Sequence, residues 1–130
     1  MLDIVYSFER DQLSPRDITI PSEHLTRTGV AEIEMQQEPI NCIWIRLTNG
    51  DLRGFTYYPQ ENVFAAHRHP VGGSGIVNSI SIAPSADASR DEVWLVVQRT
   101  INGVTRQYVE YMTRYYEDDI LKEDAIHVDR

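Results

Sequence analysis

The chain has a single cysteine, Cys42, in 130 residues. No disulfide can form within it, and no pair of cysteines is present to open a zinc site. Long apolar runs are also missing: nothing approaches the roughly 18 residues of a membrane span. The first twelve residues, MLDIVYSFERDQ, carry acids and lack an apolar core, so no secretory leader is expected there. Positive charge is scarce as well. Twelve Lys and Arg stand against twenty Asp and Glu, for a net charge of −8. Phosphate contacts need clustered cations, so this balance speaks against nucleic acid as a main partner and against an anionic membrane surface.

What remains is ordinary globular usage, 42% apolar and 25% charged, in a length that can bury a core. The stretch over residues 41–112 organises it. Trp44 and Trp94 lie fifty positions apart, in the apolar runs Ile43-Trp44-Ile45 and Val93-Trp94-Leu95. Each run leads to an Asn-Gly pair, Asn49-Gly50 and Asn102-Gly103, and then to a second strand rich in aromatics. Asn-Gly supplies the positive φ values of a type I′ hairpin turn. A strand–turn–strand unit returning after about fifty residues falls near the period of propeller blades. Both tryptophans sit in runs apolar on both faces, which predicts burial of both.

In chain order, Ile4-Val5-Tyr6 is a short apolar run, and residues 17–20 alternate as a short strand closed by Pro21. Ser22 is placed to cap one helical turn over residues 23–25. Residues 30–35 alternate again. Strands are then expected over residues 42–47, 52–58, 63–69 and 76–83, with Gly72, Gly73 and Gly75 as a flexible link and a Ser/Ala/Asp loop at 84–90. Residues 92–100 and 105–112 form the second hairpin. The pattern predicts an all-β fold of antiparallel hairpins, arranged like propeller blades or as a β-sandwich or barrel, with at most a short helix near the C-terminus. It reads as one domain over 1–130, with lead-in strands at 1–40, a repeat-like core at 41–112 and an acidic tail at 113–130.

Candidate chemistry is thin. His67 and His69 flank Arg68 and point to one face of a strand, a spacing that suits two ligands of one metal. Zinc needs a third and usually a fourth ligand, and His24, Cys42 and His127 stand alone. Cys42 is a candidate nucleophile, but a strand beside Trp44 is no place for a lowered thiol pKa. The acids Glu117, Asp118, Asp119, Glu123 and Asp124 lack the order of a calcium loop. Glu38, Asp51, Glu61 and Glu110 offer carboxylates for glycoside chemistry, and nothing in the sequence pairs them. No basic helix follows the glycine link, so it is not a phosphate loop. Phe55, Tyr57, Tyr58, Tyr108, Tyr111, Tyr115 and Tyr116 would suit a sugar-stacking platform or cross-strand packing. No catalytic, cofactor-binding or metal-binding residue is assigned, no cofactor is expected, and the chain is not read as an enzyme.

Three segments carry a resemblance: DITIPSEHLT, QQEPINCIWIRLTNGDLRGFTYYPQENVFAAHRH and DEVWLVVQRTINGVTRQYVEYM. Together they resemble a segment of large virion proteins of tailed bacteriophages and prophages. These belong to the head–tail or tail-tube region and are described as tail, nozzle or stabilisation proteins. The resemblance spans roughly residues 3 to 129. Its most specific parts are Gly54-Phe55-Thr56-Tyr57 with residues 63–69, and residues 99–103 with Tyr108-Val109-Glu110. Ala66 stands where the family more often has Trp, and Asn49-Gly50 where it has Asp-Gly. The resemblance implies a structural, non-enzymatic role in the virion, which is assembled in the bacterial host cytoplasm. It implies contacts with other virion proteins or with the rest of a longer polypeptide, and a possible homo-oligomer. The family proteins are several times longer, so the chain reads as an internal domain or a shortened relative. The competing expectation is a module binding carbohydrate on a host surface.

Overall fold

Apolar residues at every second position commit this chain to strands. The computed structural model describes the backbone of residues 2–7, 12–17, 23–61 and 63–113, and the side chains of 25–58, 60, 61 and 63–113. Strands β1 (Leu2–Ser7) and β2 (Gln12–Asp17) form an antiparallel pair. Of the strand expected at 17–20, only Asp17 is described, as the last residue of β2. The single helical turn α1 (Glu23–Thr26) follows, with Leu25 buried.

The main body is two antiparallel meanders. β3 (Val30–Gln36), β4 (Cys42–Leu47), β5 (Leu52–Tyr58) and β6 (Val63–His69) make a four-stranded sheet in chain order. β3 comes from the stretch read as lead-in. β7 (Ile76–Pro84), β8 (Asp91–Ile101) and β9 (Val104–Tyr111) make a three-stranded sheet. A short 3₁₀ turn, Pro59–Glu61, joins β5 to β6. The fold is therefore all-β and antiparallel, as two packed sheets. No closed barrel is present among the described residues.

Strand alternation explains where the core sits. Cys42, Trp44 and Leu52 face Val77, Ile80, Val93, Leu95 and Val97 across the two sheets. The opposite face of the four-stranded sheet carries a second cluster, Ile45, Leu47 and Phe55, with Ile43, Phe64 and Ala66 against it. β4 is apolar on both faces because both are covered. β8 is different. Val93, Leu95 and Val97 are buried, whereas Trp94 is only half-buried on the outer face, tilted against Tyr111 with ring centroids 5.3 Å apart. Trp44 meets the expectation of burial in full, at 0% exposure, and Trp94 meets it in part. An apolar run on both faces does not distinguish a covered face from an aromatic pair on an open one.

Polar groups fasten the sheets together. β3 and β7 each carry an irregularity in register, β3 between Val30 and Glu32 and β7 between Val77 and Ser79. A bulge leaves a backbone amide without a ladder partner. At the β7 bulge the Ile80 N–H is taken by Glu32, whose carboxylate also accepts from Ser79 Oγ at 3.0 Å and Arg46 Nε at 3.0 Å. Burial works against the charge of Glu32, but the bonds from Arg46, Ser79 and Ile80 outweigh it and hold the carboxyl below its ordinary value. At the other end of β3, Gln36 reaches the start of β8. Its Nε2 donates to the carbonyls of Glu38 and Asp91, while Asp91 accepts from the backbone of Gln37 and Glu38.

The two Asn-Gly turns differ. Asn102 and Gly103 both have positive φ, 50° and 78°, and form the expected two-residue turn between paired Ile101 and Val104. At Asn49-Gly50 only Gly50 has positive φ, 83°. The hairpin there closes over residues 48–51, with Gly50 N bonded to Leu47 O and Leu47 N to Asp51 O. Gly50 O accepts Val77 N at 2.9 Å, and a Cβ on Gly50 would collide with Ile76. That turn is shaped by contact with the second sheet, not by hairpin twist alone. No described helix is long and apolar enough to cross a membrane.

Candidate functional site

His67 and His69 share one face of β6, as their spacing requires, and that face is the one turned towards Trp44. The register runs Trp44 opposite Gly54 on β5, and Gly54 opposite His67 on β6. Gly54 is the gap in this row. A Cβ there would lie 2.6 Å from His67 Nδ1 and closer still to Cε1, so the imidazole lies over the bare backbone. A glycine inside a strand marks such a close approach. The His69 ring packs edge-on to Trp44, centroids 4.7 Å apart, and His67 stands 6.1 Å from the same indole.

The histidines are linked in a hydrogen-bonded chain. Thr56 Oγ1 and His67 Nε2 are 3.1 Å apart, and His67 Nδ1 and His69 Nε2 are 2.5 Å apart. With both rings neutral, one proton lies between the facing nitrogens, and the Thr56 hydroxyl completes the chain in either direction. Burial pushes the His67 pKa down. His69 is pushed down to about 4, by burial first, then by His67 and by the Arg53 guanidinium. Both rings are therefore neutral at pH 7. The facing nitrogens bond each other, and no group of three or more His, Cys, Asp or Glu among the described residues is arranged to hold a metal ion. The His24 and His127 side chains lie outside the described residues.

Cys42 is 1% exposed, and burial raises its thiol to about 11. It lies opposite Thr56 on the histidine-bearing face, as a protonated core side chain. The four carboxylates of the glycosidase reading are scattered. Asp51 pairs with Arg53 in the β4–β5 turn at 2.8 Å, and Glu110 on β9 takes Arg99 through two bonds of 2.6 and 2.7 Å. Glu38 lies in the β3–β4 turn and Glu61 in the 3₁₀ turn. The glycine link is held against β8: Arg99 donates to Gly72 O, and Gly75 fits against Val97 and Val71. The acids at 117–119, 123 and 124 lie outside the described residues.

The aromatic set does not form one row. Phe55 is buried and stacks on Phe64, which Tyr57 meets edge-on. Tyr58 Oη accepts the Asn41 N–H at 3.3 Å. Tyr111 leans on Trp94 on the outer face of the three-stranded sheet, and Tyr108 points to the other face. Tyr115 and Tyr116 lie outside the described residues. The residues with the richest polar contacts, Glu32, Gln36, Asp91 and Arg99, were not candidates on sequence grounds. Each acts across strands distant in sequence. Gly54 alone carried a readable signal, a glycine amid strand-forming aromatics.

No protein-family model matches the chain, and no curated protein matches it.

Proposed function

We propose that the chain is a non-enzymatic structural module of a tailed-phage or prophage virion, in the tail or head–tail region, working through protein–protein contacts. Its partners are other virion proteins or the remainder of a longer polypeptide. The resemblance over residues 17–26, 36–69 and 91–112 motivates this reading. The observation that carries it is the run of exposed apolar side chains along the end of β8 and β9. Ile101, Val104, Tyr108, Val109 and Tyr111 are all exposed, Val109 by 72%. Ile33 and Met35 are exposed on the edge strand β3. Apolar residues gathered on sheet edges mark surfaces that meet another chain.

One observation favours a second reading. Trp94 and Tyr111 form an aromatic pair on an open sheet face, which suits stacking against a sugar ring.

Removing the encoding reading frame from an inducible host separates the two. The structural reading expects particles that fail to complete or to join head and tail. Complete particles that no longer adsorb to cells would favour the carbohydrate module. Particles normal in both respects would overturn both.

A further inference from the structure

β9 is the edge strand of the three-stranded sheet, and each of its residues is exposed except Glu110. The four-stranded sheet packs on β7 and β8, through β3 and β4. Among the described residues β9 has no proline, no lysine and an unbroken register with β8, and its only charges are Arg106 and Glu110. Such an edge offers a row of backbone groups to another strand.

The hairpin geometry says which groups those are. Ile101 and Val104 close the two-residue turn, and Met112 N donates to Val93 O at 2.9 Å. Antiparallel pairs alternate between hydrogen-bonded and non-bonded. Val104, Arg106, Tyr108, Glu110 and Met112 therefore direct their backbone groups to β8. Thr105, Gln107, Val109 and Tyr111 direct theirs outward.

We propose that two copies of this chain pair antiparallel through β9, about a two-fold axis at Tyr108. In that register the outward groups match, Thr105 with Tyr111 and Gln107 with Val109, each twice by symmetry. It is the register that uses all four outward residues. It also sets Arg106 opposite Glu110 of the second copy, twice, on the same face as the central Tyr108. These are non-hydrogen-bonded pairs, the kind whose side chains come closest. Arg106 has no ion-pair partner among the described residues. Glu110 is a third exposed beside Arg99, and a carboxylate accepts more than two bonds. Other axes do worse. At Gln107 or Val109, Tyr108 faces a charged residue and one outward residue is left over. At Arg106 or Glu110, like charges meet. The result is a six-stranded sheet across the dimer, which shelters Val109 and Tyr111. This pairing is a property of the isolated chain, whatever its role in a virion.

The test uses the full chain in sedimentation velocity over rising concentration. A monomer–dimer equilibrium is expected. Val109→Pro removes one outward N–H and no bond to β8, and proline is tolerated on a strand edge. It should abolish the dimer, with the fold checked by circular dichroism. Arg106→Glu should weaken the dimer about tenfold or more. A third variant tests register independently of proline. In Tyr108→Cys the two sulfurs lie across the axis with Cα atoms about 4.5 Å apart, within disulfide range. Mild oxidation should give covalent dimer quickly, and Val109→Cys should not. Three results would each overturn the proposal: a strict monomer at high concentration, a dimer untouched by Val109→Pro, or cross-linking as fast at 109 as at 108.

Discussion

The indole N–H of Trp44 donates to the side-chain oxygen of Gln36 at 2.9 Å, with both residues out of water. Gln36 also serves the carbonyls of Glu38 and Asp91, so one buried amide joins β4, the β3–β4 turn and the start of β8. Replacing it by a shape-similar apolar residue takes the partner from Trp44 Nε1–H and from the Asp91 carbonyl, while the Glu38 carbonyl keeps the Asp91 N–H. Gln36→Met is expected to cost about 2–4 kcal/mol in urea denaturation. A cost below about 0.5 kcal/mol would mean that the network contributes nothing net.

The two tryptophans should separate by stability. Trp44→Ala empties the centre of the inter-sheet core and is expected to cost about 3–5 kcal/mol. Trp94→Ala removes a half-buried ring on an open face, for about 1–2 kcal/mol. Equal losses would show that the outer face of the three-stranded sheet is covered in solution.

Gly54 and His67 should be coupled. Gly54→Ala forces a methyl group into the imidazole, an overpacking expected to cost about 1–3 kcal/mol. In a His67→Ala background most of that cost should vanish. A double-mutant cycle reads the difference, and strict additivity would place the strain elsewhere.

His69 sets a pH dependence. Its folded-state pKa is lowered to about 4 from an ordinary value near 6.5. Between those values the unfolded chain binds the proton more readily, so stability falls as pH drops from about 6.5 to about 4. The rings against it are His67 and Trp44, the charge of Arg53 also works against its protonation, and none of these is an anion that would favour its charge. Urea midpoints measured across that window should decline, and His69→Gln should reduce the decline, with the remainder carried by His67, whose pKa burial also lowers. Glu32, also lowered, adds its own loss below its ordinary value near 4.5, so acid beyond that point tests both groups. A midpoint that stays level from pH 6.5 to 5 would contradict the neutral, buried pair.

The strands were legible because alternation and turn residues are local. β4 to β9 fall where the apolar periods and the Asn-Gly pairs put them. What sequence could not show was which faces get covered. Ile43-Trp44-Ile45 and Val93-Trp94-Leu95 look alike, yet one is enclosed by two clusters and the other has an open side. Asn49-Gly50 and Asn102-Gly103 are identical as dipeptides, and the bond from β7 to Gly50 sets the first apart. The β1–β2 hairpin was hidden by Pro15, which stands inside β2 opposite Ile4. At the histidines, the shared face was readable from a spacing of two. That their nitrogens meet each other over Gly54 depends on the register of three strands.

The proposed role is that of a built-in part of a virion. Quantitative mass spectrometry of gradient-purified particles from the encoding strain tests it most directly. Peptides of this chain should co-migrate with intact particles, at a constant ratio of several copies per particle. Particles complete with head and tail but free of those peptides, with the chain recovered only among unassembled proteins, would contradict it.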